Sequence, residues 1–294
     1  MTRPIASLAL GGAQFGLDYG ISNRRGRVPF AEVEAILAKA ADAGIAFVDT
    51  APAYGDSEEV LGAILAGDPK WRIITKTVDL SSLPLGAAAA RLEEGLERSL
   101  LRLKRREVDT LLFHRPHDLA REDGAEIWEK AAGLKRRGLV RRLGLSIYAE
   151  ADLDLPGRRR WDVVQAPTSI VDQRLISSGA FRRLASAGVE VQVRSIFLQG
   201  LLLSPESRPA GLVSAHAASL ARFRDLADRL GLTPLELCLA HVRRLPEVAI
   251  CLVGISSAGE LEQILAARLP ELPDTAVLAV DAPDLVDPRR WPPR

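Results

Sequence analysis

The sequence predicts an α/β protein that closes into a (β/α)8 barrel, the TIM barrel architecture. Eight short apolar runs alternate with longer segments of helical period, which is the pattern of parallel βαβ units. The chain has 294 residues, close to the size of one such barrel. No Gly-x-Gly-x-x-Gly follows an early strand, which disfavours an open dinucleotide-binding sheet. We therefore expect a single domain over residues 1–294.

The predicted elements follow in chain order. Runs rich in Val, Ile and Leu predict strands at 7–11, 46–49, 73–76, 110–114, 142–146, 163–165, 190–194 and 250–254. Segments rich in Ala, Leu, Glu and Arg predict helices at 31–43, 58–66, 87–103, 125–137, 180–187, 215–230, 234–243 and 258–267, with a weak one near Ala151. Gly44 and Gly188 follow two of these helices as left-handed caps, and Pro234 suits a first helical turn. Extra helices are expected near the C-terminus, where the Pro-rich segment 269–294 is either a loose tail or laid across the barrel.

Composition excludes several classes of protein. With 39 basic and 38 acidic side chains, the net charge of +1 gives no long-range attraction for nucleic acid or anionic lipid. No stretch reaches the roughly 18 apolar residues of a membrane helix. Cys238 and Cys251 lie in apolar stretches without a C-x-x-C spacing, which fits reduced thiols in the cytoplasm. We expect a cytoplasmic protein with a small-molecule substrate, no nucleic acid or membrane partner, and an oligomeric state that the sequence does not specify.

Polar residues end three successive strands. Asp49, Lys76 and His114 each follow an apolar run, and Tyr54 lies in the loop after Asp49. Singly, each has an ordinary structural explanation as a turn residue, a surface charge or a core histidine. A barrel, however, brings the carboxyl ends of its strands to one mouth, where barrel enzymes place their chemistry. We therefore expect these four side chains to act together.

Such a set suits carbonyl reduction or alcohol oxidation. A phenol has a reference pKa of about 10, and a neighbouring ammonium stabilises its anion, so Tyr54 is a candidate general acid/base. Asp49 would pair with Lys76, and His114 would donate a hydrogen bond to the substrate oxygen. The set supplies no electrons, so a hydride carrier must bind. A Schiff-base aldolase with Lys76 as its nucleophile is an alternative.

The chain resembles the aldo-keto reductase superfamily over nearly its whole length. The motifs that carry the resemblance are LGGAQFG at 10–16, FVDTAPAYG at 47–55, TK at 75–76, LFHRP at 112–116, GLS at 144–146, QAP at 165–167 and VGISS at 253–257. The resemblance implies a (β/α)8 barrel that binds an extended nicotinamide dinucleotide without a Rossmann motif. It also implies a catalytic tetrad of Asp49, Tyr54, Lys76 and His114, with Tyr54 as the proton donor. Some relatives are redox-sensing binding subunits, which is a third possibility.

The resemblance further implies a set of cofactor contacts. They are Gly12, Ala13, Asp49, Ser146, Gln165, Arg194, Ser195, Gly254, Ser256, Ser257, Glu260 and Gln263. Gln165 would bind the carboxamide, and Arg194 stands where many members stack a Tyr on the nicotinamide. Ser256 and Ser257 are neutral where many members that prefer NADPH carry Arg or Lys. NADP(H) is therefore the family default, with NAD(H) of nearly equal weight.

The sequence marks the residues that would contact the substrate less clearly than those that would bind the cofactor. Candidate substrate contacts are Phe15, Tyr19, Tyr54, His114 and Arg115, and the expected walls are 15–23, 115–118, 199–211 and Trp291. His117 follows His114 by three residues, but no third ligand has a suitable spacing, so no metal is expected. The physiological substrate and the preferred direction are not encoded in any motif.

Overall fold

Eight parallel strands close into a barrel in which each strand pairs with the next and the last pairs with the first. The structure, a computed structural model, describes residues 7–20, 23, 26–154, 159–204 and 210–291. The strands are β1 Ser7–Gly11, β2 Phe47–Asp49, β3 Arg72–Lys76, β4 Val108–Phe113, β5 Val140–Ser146, β6 Val163–Pro167, β7 Glu190–Arg194 and β8 Val248–Gly254. The predicted fold class is confirmed, and each strand lies within about two residues of its predicted bounds.

Helices cover the outside of the barrel. They are α1 Ala13–Gly16, α2 Phe30–Asp42, α3 Ser57–Ile64, α4 Ala88–Leu103, α5 Gly124–Arg136, α6 Arg174–Ser177, α7 Ala180–Ser186, α8 Ala210–Ala215, α9 Ala217–Leu230, α10 Pro234–Arg243, α11 Ala258–Ala266 and α12 Pro283–Val286. The predicted helix 215–230 corresponds to α9, which begins two residues later because His216 leaves helical geometry after α8. The weak helix near Ala151 is a 3-10 turn over Glu150–Leu153.

The barrel interior is filled below the mouth. Ile74, Leu112 and Val163 form one fully buried cluster inside the strands. Phe47 packs against it, and the guanidinium carbon of Arg142 lies 5.8 Å from the Phe47 ring centroid. A packed barrel interior leaves the carboxyl ends of the strands as the place for a ligand.

The C-terminal segment lies across the barrel as far as Trp291, so it is not a loose tail in the part of the chain described. Gln173 Nε2 donates to the Thr275 carbonyl at 2.8 Å, and the Val280 amide donates to the Val171 carbonyl at 3.0 Å. Trp291 is buried and donates to the Leu285 carbonyl. It lines neither mouth cavity described below, and its expected role as a wall of the substrate pocket stays a prediction. That residues 1–294 form one domain stays a prediction. None of the described helices is long and apolar enough to cross a membrane.

Candidate active site

Tyr54 lies in a turn that is clamped at the end of β2. The buried hydroxyl of Thr50 donates to Ser57 Oγ at 2.9 Å, so the two ends of the turn are joined inside the protein. The turn also packs directly on α1, where a Cβ added to Gly16 would lie 1.9 Å from the Tyr54 carbonyl oxygen. Gly55 has a φ of +55°, which an L side chain rarely adopts. These contacts fix the direction of the phenol.

A buried ion pair lies beneath this turn. Lys76 Nζ is 2.7 Å from Asp49 Oδ2 and donates a second hydrogen bond to the Thr50 carbonyl at 2.9 Å. Asp49 Oδ1 accepts from Gln165 Nε2 at 2.9 Å. Lys76 Nζ also lies 4.7 Å from the ring centroid of Tyr54. The ammonium therefore contacts the face of the phenol ring, and its hydrogen bonds go to Asp49 and Thr50.

His114 completes the cluster one residue after β4. Its ring meets the Tyr54 ring edge to face, with centroids 6.1 Å apart and an interplanar angle of 85°. Burial, with Lys76 and Arg194 nearby, lowers the pKa of His114 to about 3. At neutral pH the imidazole is uncharged, so it carries one N–H donor and one acceptor nitrogen. The structure thus brings the four predicted tetrad residues together at the mouth.

The protonation of Tyr54 differs from the sequence-based expectation. Burial raises the pKa of Tyr54, the Asp49 carboxylate raises it further, and Arg194 offsets part of this. Burial also lowers the pKa of Lys76, and the paired Asp49 only partly compensates. A neighbouring ammonium was expected to bring the phenol towards neutral pH, but desolvation outweighs it. Tyr54 therefore holds its proton at neutral pH and is suited to give it away.

A cavity of about 240 Å3 opens above these residues. Many predicted site residues line it: Ala13, Tyr19, Asp49, Tyr54, His114, Ser146, Arg194, Ser195, Gly254, Ser256 and Glu260. Of the expected walls, Gln199 and Gly200 also line the cavity, whereas residues 21–22 and 205–209 lie outside the described part of the chain.

Other predicted contacts lie elsewhere. Phe15 is fully buried in the core and does not line the cavity, so its expected role as a substrate contact gains no support. Gly12 is buried and donates its amide to the Asp49 carbonyl at 2.7 Å. Ser257 caps α11 by accepting from the Glu260 amide, and Gln263 is exposed on that helix. Arg115 lines a separate cavity, so a direct contact with a substrate held at Tyr54 is not supported.

That separate cavity, of about 440 Å3, shares His114 and Tyr148 with the first one. Arg115 and Asp118 line it. Asp118 is 1% exposed, and neither of its carboxylate oxygens accepts a well-formed hydrogen bond. Burial and nearby Asp79 raise the pKa of Asp118 to about 6. Among the residues described, no three or more His, Cys, Asp or Glu side chains are arranged to hold a metal ion.

Tyr148 is a cavity residue that the sequence analysis missed. The guanidinium carbons of Arg194 and Arg289 lie 4.2 Å and 3.6 Å from its ring centroid. Arg289 comes from the C-terminal segment and lines the second cavity, whereas Arg194 lines the first. The ring therefore lies between two cations that are remote in sequence. Its one sequence signal is an aromatic side chain two residues after Ser146.

The start of α11 is already occupied by the protein's own carboxylates. The Ala258 amide donates to Glu32 Oε1 at 2.7 Å. The amide and hydroxyl of Ser256 donate to the two oxygens of Glu260, each at 2.7 Å. The end of the cavity at the start of α11 is thus acidic.

Fold and site together define a (β/α)8 barrel with an acid/base cluster at the carboxyl ends of its strands, the arrangement of a barrel enzyme. The model of the Aldo/keto reductase family matches residues 7–284. The chain therefore belongs to the aldo/keto reductase family, a family of oxidoreductases. The predicted resemblance is confirmed.

Individual relatives agree with this assignment. A 6-dehydroglucose reductase of Novosphingobium aromaticivorans is 36% identical over 138 residues, covering 42% of this chain and 44% of that protein. An aldo-keto reductase of Mycolicibacterium vanbaalenii is 33% identical over 132 residues, covering 44% and 45%. These matches span less than half the length of either relative. A solved structure of a protein described as an aldo-keto reductase, from Pseudomonas aeruginosa, is 26% identical over 91% of this chain and 93% of its own, with a TM-score of 0.66.

Proposed function

We propose that this protein is a nicotinamide-dependent oxidoreductase that reduces the carbonyl group of a small molecule to an alcohol, with Tyr54 as the general acid. One observation carries the proposal. The buried Lys76–Asp49 pair, with its two oppositely charged atoms 2.7 Å apart, lies directly beneath the Tyr54 ring, and His114 flanks that ring at the cavity. A proton donor and a neutral hydrogen-bonding group thus face the same space, where a carbonyl oxygen can lie.

The protonation states support reduction. Tyr54 keeps its proton at neutral pH because burial and Asp49 raise its pKa, so it can donate to an oxygen on which negative charge develops. Neutral His114 can orient that oxygen through a ring N–H without competing for the proton. Lys76 and Asp49 hold the turn and set the field beneath the phenol. The dinucleotide, when bound, supplies the hydride.

The residues present fit a nicotinamide at this mouth. Gln165 Oε1 is buried without a hydrogen-bond partner, and a buried amide oxygen of this kind can accept from a carboxamide N–H. Ser146, paired in register with Gln165, is buried and lines the cavity. We infer that these two residues hold the carboxamide.

At the other end of the cavity, the charges favour NAD(H) over NADP(H). The Glu32 and Glu260 carboxylates occupy the amides at the start of α11, and both would repel a 2′-phosphate. A ribose hydroxyl could instead donate to Glu260. Arg194, the one Arg or Lys among the described residues that line this cavity, lies at the end of β7. Binding titrations with NADH and NADPH test this preference, and tighter binding of NADPH would refute it.

The geometry speaks against the aldolase alternative. A Schiff base requires an amine that a substrate carbonyl can reach. Lys76 is 2% exposed, donates hydrogen bonds to Asp49 and Thr50, and lies beneath the Tyr54 ring.

We also place the protein in the cytoplasm, as supported by the two buried free thiols, Cys238 and Cys251.

Tyr54→Phe tests the function directly. Removal of the general acid is expected to lower kcat about 10²- to 10⁴-fold on a panel of aldehydes, ketones and sugars. The dissociation constant for the dinucleotide, measured by fluorescence, should change less than about twofold, because the ring remains. Tyr19→Phe removes another phenol from the same cavity and should lower kcat less than about tenfold.

Three outcomes would contradict this assignment. Equal loss of turnover and dinucleotide binding in Tyr54→Phe would make Tyr54 a structural residue. Tight dinucleotide binding by the wild type without turnover of any carbonyl would favour a redox-sensing binding subunit. Absence of dinucleotide binding would overturn the proposal itself.

A further inference from the structure

Arg194 lines the active-site cavity without a carboxylate partner. Its Nη2 donates to the Ile147 carbonyl at 3.0 Å, and its Nη1 donates to Ser195 Oγ at 3.3 Å. Its guanidinium carbon lies over the Tyr148 ring. All three partners are neutral, and no Asp or Glu among the described residues lies within 4 Å of the guanidinium nitrogens, although the side chain is only partly exposed.

Carboxylates near this part of the mouth are engaged elsewhere. Asp49 pairs with Lys76. Asp152 accepts from the backbone amide of Tyr148 at 2.7 Å, and Glu260 holds the amide and hydroxyl of Ser256. A half-buried cation without a counter-ion is unfavourable unless a bound anion neutralises it. An anionic group on a bound ligand would supply the missing charge partner.

The loop that directly follows Arg194 has a strained backbone. Ser195, Leu198 and Gln199 have φ values of +65°, +47° and +51°. Only one other non-glycine residue in the described chain, Lys104, has a positive φ. Backbone strain of this kind persists where the surrounding structure fixes a functional group. The guanidinium itself is positioned by its hydrogen bond to the Ile147 carbonyl and its contact with the Tyr148 ring.

Arg194 faces the acid/base end of the cavity. It is close enough to Tyr54 and His114 to lower the pKa of each. Arg194 is the last residue of β7, which lies between β6 and β8. Its hydrogen bond to Ile147 and its contact with Tyr148 turn the guanidinium towards the chain just after β5, away from β8. The acidic start of α11 follows β8. The guanidinium is therefore turned away from the acidic start of α11, and it shares the cavity with Tyr54 and His114.

We propose that Arg194 binds a carboxylate on the substrate, so that the preferred substrates are carbonyl acids. This inference rests on the proposed function and specifies its substrate class. A guanidinium presents a planar pair of N–H donors that matches the two oxygens of a carboxylate. Tyr19, Asn23 and Gln199 line the same cavity, so its wall is polar as well as cationic. A hydroxylated carbonyl acid, such as a sugar acid, suits a wall of this kind.

Two matched pairs of substrates test the proposal. D-glucuronate and D-glucose, and likewise glyoxylate and glycolaldehyde, differ in whether a carboxylate is present. The wild type should favour the charged member at least about tenfold in kcat/KM, and Arg194→Gln should lower kcat/KM for that member about 10- to 100-fold. For the neutral member, kcat/KM should change less than about fivefold, and Arg194→Lys should fall between the two because it keeps the charge without the planar pair.

A binding readout and a matched control complete the test. Calorimetric titration of the enzyme–dinucleotide complex with D-glucuronate should show weaker binding in Arg194→Gln by about the same factor. Arg289→Gln removes the other guanidinium that lies over Tyr148. Because the Arg289 side chain lines the second cavity, this variant should keep the preference for the charged substrate.

The outcomes separate this inference from the function on which it rests. Equal loss of activity on charged and neutral substrates in Arg194→Gln, or a wild type that reduces only neutral carbonyls, would overturn the role of Arg194 and leave the reductase proposal standing. Weaker dinucleotide binding in Arg194→Gln, with an unchanged preference for charged substrates, would assign the guanidinium to the cofactor. A wild type that binds no dinucleotide would overturn both proposals.

Discussion

Replacing Asp49 with Asn should destabilise the protein by leaving a buried ammonium without its counter-ion. Lys76 Nζ lies 2.7 Å from Asp49 Oδ2, and both side chains are almost completely buried. Removing one partner of such a pair costs about 3–5 kcal/mol. An unfolding entropy of about 2.1 cal/mol/K per residue gives roughly 0.6 kcal/mol/K for this chain, so calorimetry at pH 7 should show a Tm lower by about 5–8 °C.

The pH dependence of this loss identifies its cause. Without Asp49, nothing offsets the burial that already lowers the pKa of Lys76 below its usual 10.5, so the folded chain binds the Lys76 proton more weakly than the unfolded chain does. Folding then releases a proton, and the stability of the variant rises with pH until the unfolded Lys titrates. The loss should therefore shrink by up to about 2.7 kcal/mol between pH 7 and pH 9.

Two comparison variants isolate the buried charge. Asp49→Asn combined with Lys76→Met removes both charges and should recover at least about half of the lost stability. Glu94→Gln breaks an exposed pair with Arg98 and should cost less than about 0.5 kcal/mol. A loss below about 1 kcal/mol in Asp49→Asn at pH 7, or a double variant no more stable than the single one, would refute the reasoning.

Two further predictions concern other buried contacts. The pKa of Asp118 is raised from 3.8 to about 6, so the folded chain binds this proton more tightly than the unfolded chain and loses stability as pH rises from about 4 through 6. In urea unfolding, Asp118→Asn should remove that slope and add about 1–3 kcal/mol at pH 7, whereas a loss at pH 7 would show that the carboxylate is needed. Gly16→Ala places a Cβ 1.9 Å from the Tyr54 carbonyl oxygen, and it should cost about 1–3 kcal/mol in thermal unfolding and lower kcat more than tenfold. Gly133→Ala, whose Cβ meets nothing closer than 3.7 Å within α5, should gain up to about 1 kcal/mol, and equal effects of the two substitutions would contradict the role of Gly16.

The barrel could be predicted from the sequence because apolar residues form clear runs in its strands and recur at helical spacing in its longer helices. Apolar runs such as Val163–Pro167 are buried along their whole length, as expected of strands covered on both faces. Three helices, α1, α6 and α8, escaped prediction because four to six residues are too few to show a 3.6-residue repeat. Extra helices were expected near the C-terminus without bounds, and the four residues of α12 are also too few to define them.

The site was predictable only in part. Asp49, Lys76 and His114 stood out because each is polar and directly follows an apolar run. The direction of the Tyr54 pKa depends on how deeply the phenol is buried, which no local pattern records. The role of Tyr148 depends on Arg194 and Arg289, which reach it from β7 and from the C-terminal segment. Contacts between residues so far apart in the chain become visible only in three dimensions.

Closure of the barrel also sets an order of events during synthesis. β1 has β8 as one of its two partners, and about 240 residues separate them in the chain. At translation rates of about 5–20 residues per second, the free edge of β1 waits on the order of 12–50 seconds for that partner. An unpaired strand edge is prone to pair with other chains, so the nascent protein is most exposed to aggregation and most dependent on chaperones during this interval.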